Sequence, residues 1–188
     1  MLVGVAAIVL AALLVWTDQR SDQGNASATP HLARFELSDH TGVVRTQDDF
    51  AGRWMLVFFG FASCPDVCPT TLADVAAIVD QLGTDAPKVQ PLFISIDPER
   101  DTPQSLAEFI PRFEAGIIGL TGTPERIERT AKSFFVFYEK IEEAAAPDGY
   151  TMGHSSQLFL FGPDAGYVTS WQYGTPIEVI LDDLKERI

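Results

Sequence analysis

The sequence predicts an α/β domain, a mixed sheet flanked by helices, carried behind an N-terminal membrane anchor helix. Three observations support this. Two apolar runs of strand length, MLVFFGF (55–61) and PLFISID (91–97), read as strands buried on both faces. Between and after them, TTLADVAAIVDQLG and PERIERTAKSF carry helical spacing. The chain also opens on an uninterrupted apolar run, MLVGVAAIVLAALLVW.

As a helix, residues 1–16 span about 24 Å at ~1.5 Å per residue, somewhat short of a ~30 Å hydrocarbon core. The alternative is a cleaved signal peptide. No Ala-x-Ala-like site stands at the boundary LLVWTDQRSDQ, and Trp16 sits where an interfacial aromatic would. The expectation is an uncleaved anchor. Met1 runs straight into the apolar residues, so flanking charge gives no orientation. Residues 17–30, TDQRSDQGNASATP, are polar, small and without period, a flexible tether. Residues 31–188 then form the globular domain.

Of the 188 residues 46% are apolar, enough for a core of ordinary size, and 13 Lys and Arg face 26 Asp and Glu. The net charge of -13 argues against nucleic acid or anionic lipid heads as partners.

The elements follow in order. FELSDHTGVVRTQDDFAGRW (35–54) alternates around a turn, a short strand pair closing at Ala51-Gly52. The run at 55–61 is a central strand. TTLADVAAIVDQLG (70–83) places Leu72, Val75, Ala76, Val79 and Leu82 on one helical face, with Gly83 as the stop. The run at 91–97 is a second buried strand. TPQSLAEFIPRF (102–113) reads as a short helix ending near Pro111. IIGLTGTPERIERTAKSF (117–134) gives a third strand, then a helix capped by Thr123 with Pro124 at its first position. FFVFYEKI (134–141) and HSSQLFLFGPDAGYVTSWQY (154–173) supply the closing strands, the last two joined by Pro163-Asp164-Ala165-Gly166. TPIEVILDDLKERI (175–188) is a final helix using Ile177, Ile180, Leu181, Leu184 and Ile188. Strand, helix, strand, helix, then a hairpin and a helix is the order a thioredoxin-like domain requires. A generic doubly wound domain is the alternative. No glycine-rich phosphate loop follows the first buried strand; FASCPDVCP stands there instead, at the switch from strand to helix where chemistry is expected.

Cys64 and Cys68, the chain's two cysteines, lie in that segment, each followed by proline. Pro65 pushes Cys64 out of the α region and into the loop. Pro69 suits a first helical position, so Cys68 caps the helix or lies in its first turn. Its sulfur then sits near unsatisfied N–H groups that favour thiolate, which makes both sulfurs candidates for a low pKa. The pair permits a structural disulfide, a redox dithiol or a metal site. A staple across so short a loop gains little on closure, which weighs against the first.

For metal, two thiolates fall short of the four ligands of structural zinc. A soft ion such as Cu(I) accepts two sulfurs, or two sulfurs and an imidazole. His31 follows the tether and His40 lies in a polar turn, so both read as solvated surface residues. His154 opens the buried run SQLFLF, either as a satisfied structural residue or as a third ligand converging on the cysteine loop. Asp97, at the tip of the second buried strand, reads as a turn-forming acid. Adjacent parallel strands carry their carboxyl ends to one edge, so it is also placed to orient an imidazole or offer an oxygen to Cu(II).

GFASCPDVCPTTL, FISIDPERDTP and GHSSQLFLFGPDAGYV, in this order and spacing, resemble the Sco/SenC family of copper-binding assembly proteins. The resemblance runs from Phe35 to the C-terminus and extends to the anchor and tether. It implies a thioredoxin-like domain facing the periplasm from the inner (cytoplasmic) membrane, with Cu(I) or Cu(II) held by Cys64, Cys68 and His154 and Asp97 close by. It implies a copper chaperone for the dinuclear site of cytochrome c oxidase subunit II, with a copper donor and a thiol reductant as further partners. Where the family usually carries an acid before the histidine, Gly153 stands here, a difference that bears on how His154 is oriented. Two other readings of the residues stay open. One is a thiol-disulfide oxidoreductase, with Cys64 attacking and Cys68 resolving; the other is a copper or redox sensor.

Overall fold

The computed structural model describes residues 31–188. The expected anchor and tether lie outside the described residues. Among the described residues no helix is long and apolar enough to cross a membrane.

Nine strands are described: β1 (Glu36–Asp39), β2 (Val44–Thr46), β3 (Trp54–Gly60), β4 (Val89–Ser95), β5 (Ile118–Thr121), β6 (Tyr138–Glu142), β7 (Tyr150–His154), β8 (Leu158–Phe161) and β9 (Tyr167–Trp171). Seven of them form one sheet in the order β2-β1-β5-β4-β3-β8-β9. Its centre, β3, β4 and β5, is parallel, and the flanking pairs are antiparallel. The two apolar runs became the two central strands, as expected. Every residue of β4 is buried, and in β3 only Trp54 is part exposed.

The helices are α1 (Val67–Leu82), α2 (Pro103–Phe109), α3 (Pro124–Ser133) and α4 (Ile177–Lys185). α1 packs with α4, while α2 lies on β5 and α3 on β1. The Thr123 hydroxyl accepts the Arg126 N–H with Pro124 in the first turn, so the cap expected of α3 is the one observed. α1 starts at Val67, before the Thr70 start of the sequence reading. Its core face is Cys68, Thr71, Leu72, Val75, Ile78 and Leu82, while Ala76 and Val79 are only half-buried. The earlier start brings Cys68 onto that face, and Ile78 continues it where Val79 was expected.

The closing segment differs more. FFVF is not a strand: Phe135 has φ 54°, and its ring is 80% exposed while Phe134 is buried. β6 begins at Tyr138 and pairs only with β7, as a ribbon apart from the main sheet. His154 ends β7 rather than opening the strand that follows, which starts at Leu158. The missed signal is Pro147-Asp148-Gly149, whose turn-forming chemistry folds YEKIE back onto YTMGH.

Three chain segments meet at one edge of the sheet because of register. Gly60 at the end of β3 pairs with Ser95 at the end of β4, and the Ile96 N–H donates to the Gly60 carbonyl at 2.9 Å. The loops leaving both strands therefore start side by side. β8 runs antiparallel to β3 with Leu158 opposite Phe58, so residues 154–157 enter at the same edge.

Candidate metal and redox site

Cys64 is half-buried in the loop and Cys68, the second residue of α1, is fully buried; both are free thiols. The Cys68 N–H donates to the Cys64 sulfur at 3.4 Å. The helix start thus serves the loop sulfur, not the one on the helix. Cys64 is drawn down to about 4, first by the Cys68 thiol, against the cost of burial, and further by the backbone of Asp66 and Cys68. Cys68 is driven the other way, first by the adjacent Cys64 sulfur, then by burial, with Asp101 adding to it. Two sulfurs in contact do not both ionise easily, and the less buried one with more donors takes the charge. The expectation that both were low-pKa candidates resolves into one thiolate and one thiol.

Gly60 makes room for the buried sulfur. A Cβ there would lie 2.8 Å from Cys68 Sγ and 3.0 Å from Phe58 and Phe93. Only a residue without a side chain lets the sulfur lie this close to β3.

His154 brings its Nε2 to 3.8 Å from Cys68 Sγ, across 86 residues of chain. Its Nδ1 lies 3.0 Å from the Ser155 carbonyl. A carbonyl only accepts, so Nδ1 carries the hydrogen and Nε2 presents its lone pair towards the sulfur. Phe58 and Phe61 stand edge-on to the ring, each with centroids at 6.0 Å. The ribbon end is pinned by the Ser155 N–H on the Phe137 carbonyl at 3.0 Å.

The donor set suits a soft ion. Cys68 and His154, 3.8 Å apart, could both hold such an ion. Among the described residues no three His, Cys, Asp or Glu side chains already close into a metal cage. A thiolate, a thiol and one lone-pair nitrogen stand together there, with Cys64 and His154 half-buried and Cys68 fully buried.

The other histidines are engaged elsewhere and are not the solvated residues expected. The His40 Nδ1 accepts the Gly119 N–H at 3.2 Å, and the His31 ring packs on Phe135 with centroids 4.4 Å apart. Asp97 is buried at the expected strand tip, but its oxygens face other partners. It accepts the Tyr150 hydroxyl at 3.0 Å and pairs with Arg100 at 2.5 Å. The Tyr150 hydroxyl is pushed up to about 12 by burial and by that bond, so it stays a donor.

Asp101, not singled out in the sequence, lies against the cysteine loop. It is 1% exposed and accepts the Ala62 N–H at 2.9 Å and the Ser95 hydroxyl at 2.6 Å. Burial raises its pKa, against the Ser95 and Ala62 bonds. The signal was the second aspartate of SIDPERDTP, five residues after Ser95-Ile96 had entered the core. Tyr150 and Arg100 were also missed, since the ribbon that Tyr150 opens was not foreseen.

A family model described as SCO1/SenC matches residues 23–188. The human "Protein SCO1 homolog, mitochondrial" is 40% identical over 136 residues, covering 71% of this chain. The chain spans about half the length of the curated relatives it matches, 45% of the human protein and 58% of a bovine "Protein SCO2 homolog, mitochondrial". Among solved structures, Bradyrhizobium japonicum ScoI with copper bound superposes with a TM-score of 0.76 at 34% identity, over 84% of this chain and 99% of that one. BsSco, described as having a disulfide switch and as a member of the Sco family of cytochrome c oxidase assembly proteins, gives 0.68 at 25% identity over 84% and 94%.

Proposed function

The chain belongs to the SCO1/SenC family, and from that membership we propose that it is a copper chaperone. Its cargo is held by Cys64, Cys68 and His154 and passed towards the dinuclear copper site of cytochrome c oxidase subunit II. The observation that carries this is the approach of His154 Nε2 to within 3.8 Å of Cys68 Sγ, beside an ionised Cys64. Related proteins of the same fold, from Bradyrhizobium japonicum and Arabidopsis thaliana, are solved with copper bound.

The chain's own groups suggest the order of events. The Cys64 thiolate makes the first bond without losing a proton. Cys68 must lose one as the ion arrives, and His154 closes from the side with its lone pair already exposed. Positive charge on the ion offsets the sulfur–sulfur repulsion that keeps Cys68 protonated. An incoming thiolate or imidazole from an acceptor then adds before the donor bonds break, so copper is never free.

One observation favours a second activity on the same groups, a thiol-disulfide oxidoreductase. The half-buried, low-pKa Cys64 is the better attacking sulfur and the fully buried Cys68 the resolving one. The Cys64 thiolate attacks an acceptor disulfide and releases one acceptor sulfur as thiolate. Cys68 gives its proton to that sulfur, attacks Cys64 in the mixed disulfide and releases the second as thiolate. Two electrons reach the acceptor, whose cysteines become fit for metal, and a Cys64–Cys68 disulfide is left for a thiol reductant. The same closure ends copper binding, a route to sensing copper or redox state.

In this scheme residues 1–16 anchor the chain in the inner membrane, residues 17–30 give reach, and the domain of residues 31–188 works in the periplasm, taking copper from a donor. The net charge of -13 argues against nucleic acid as a partner.

Copper titration of the full-length chain in detergent tests the proposal. His154→Ala should weaken Cu(II) at least about tenfold, the loss of one of three donors, while largely sparing dithiol exchange. A His154→Ala variant that bound Cu(II) normally yet failed in cells would leave the oxidoreductase as the function.

A further inference from the structure

His154 is carried by the β6–β7 ribbon, which shares no ladder with the main sheet, so side chains must fasten it to the domain. They come from the turn after β4. Asp97 accepts the Tyr150 hydroxyl at 3.0 Å, and Arg100 Nε bonds the other Asp97 oxygen at 2.5 Å. Arg100 also donates to the Tyr150 carbonyl at 3.2 Å and lies over the Tyr150 ring at 3.8 Å. Lys140 covers the same ring at 3.8 Å, and its ammonium pairs with Glu99 at 2.6 Å. A ring that meets two cations while its hydroxyl meets a buried carboxylate leaves little freedom at the start of β7. The same turn holds the other half of the site, since Asp101 accepts the Ala62 N–H, two residues before Cys64, at 2.9 Å.

We propose that residues 97–101 are a two-sided spacer that sets the distance between the sulfurs and the imidazole. Asp101 fixes the cysteine loop, and Asp97 with Arg100 fixes the ribbon through Tyr150, a positioning residue for His154. This rests on the copper reading above. From Tyr150 to His154 the strand extends about 13 Å at ~3.3 Å per residue, so a tilt of about 5° at the fastening moves the ring about 1 Å. Metal–ligand bonds tolerate only about 0.2 Å. Two sulfurs suffice for Cu(I), whereas Cu(II) depends on the nitrogen, so loosening the ribbon acts selectively on Cu(II).

The full-length chain in detergent is titrated with Cu(II), and anaerobically with Cu(I) against a chromophoric competitor. The proteins are wild type, Tyr150→Phe, Asp97→Asn, the double variant and His154→Ala. Tyr150→Phe should weaken Cu(II) about tenfold, the worth of one hydrogen bond to a charged acceptor, and leave Cu(I) within about twofold. Its Cu(II)–thiolate absorption band should shift. The double variant should bind no worse than Asp97→Asn, because both changes break the same bond. In copper-free protein, amide exchange at 151–154 should quicken while that in β3 stays unchanged. Wild-type Cu(II) affinity and band in Tyr150→Phe, beside their loss in His154→Ala, overturns the spacer and leaves the ligand set standing. Equal weakening of Cu(I) and Cu(II) overturns it as well, since general support would act on both. Unaltered Cu(II) binding in His154→Ala overturns the spacer and the ligand set together.

Discussion

Replacing Gly60 by alanine adds one methyl group at the most crowded point of the site. Nothing in the backbone opposes it, since Gly60 has no positive φ and lies in β3. At such a position Gly→Ala would ordinarily stabilise by about 0.4–1 kcal/mol, because the unfolded chain loses freedom. Here the new Cβ would stand 2.8 Å from Cys68 Sγ and 3.0 Å from the Phe58 and Phe93 rings, all of them buried. Ordinary contact begins near 3.4 Å, so the sulfur must retreat about 0.6 Å or the strand must shift. Overpacking of this kind costs about 1–3 kcal/mol, which outweighs the entropic gain. The expected net loss is about 1–2 kcal/mol, a fall in Tm of roughly 2–4 °C per kcal/mol for a domain of this size. Urea denaturation of the reduced protein with both thiols intact measures the loss. A displaced Cys68 thiol also withdraws the main donor to Cys64, so the Cys64 pKa should rise, read by alkylation against pH. A Gly60→Ala protein as stable as wild type, with an unchanged Cys64 profile, would refute the close approach of sulfur to strand.

Alkylation of wild type should separate the two sulfurs. Cys64 reactivity should stay flat from pH 8 to 6, where an ordinary thiol with pKa ~8.5 loses nearly a hundredfold, and fall only as pH drops through about 4. Cys68 should stay unmodified across that range; a steep loss of Cys64 labelling between pH 8 and 6 would show that it is not ionised. Asp101→Ala strands the Ala62 N–H and the Ser95 hydroxyl, both donors to it, and should destabilise by about 2–4 kcal/mol in denaturant. A loss under about 0.5 kcal/mol, the range of a surface change, would mean that the cysteine loop does not depend on this acid.

The central strands and most helices were legible because their causes are local. Continuous apolar runs at 55–61 and 91–97 leave no face for water, and Thr123 with Pro124 marks a helix start whatever surrounds it. The ribbon was not legible. Apart from the buried Tyr150 its strands are half-exposed or exposed, so they lack the burial pattern that betrays a strand, and the apolar FFVF beside them drew the assignment instead. The position of Asp97 was legible, but its bonding was not, since its partners Tyr150 and Arg100 depend on where the ribbon lands.

By itself the sequence determined the chemistry on offer: two cysteines held at a loop-to-helix junction by their prolines, a late histidine, an acid at a strand tip, and motifs of one family. Tertiary structure alone decided how those groups share the work. It made Cys64 the thiolate and Cys68 the thiol, exposed the Nε2 lone pair of His154, and turned Asp97 towards Tyr150. Steric and propensity rules act over a few residues, whereas charge, desolvation and ligand geometry act through space. They are settled only when segments 86 residues apart pack within 3.8 Å of each other.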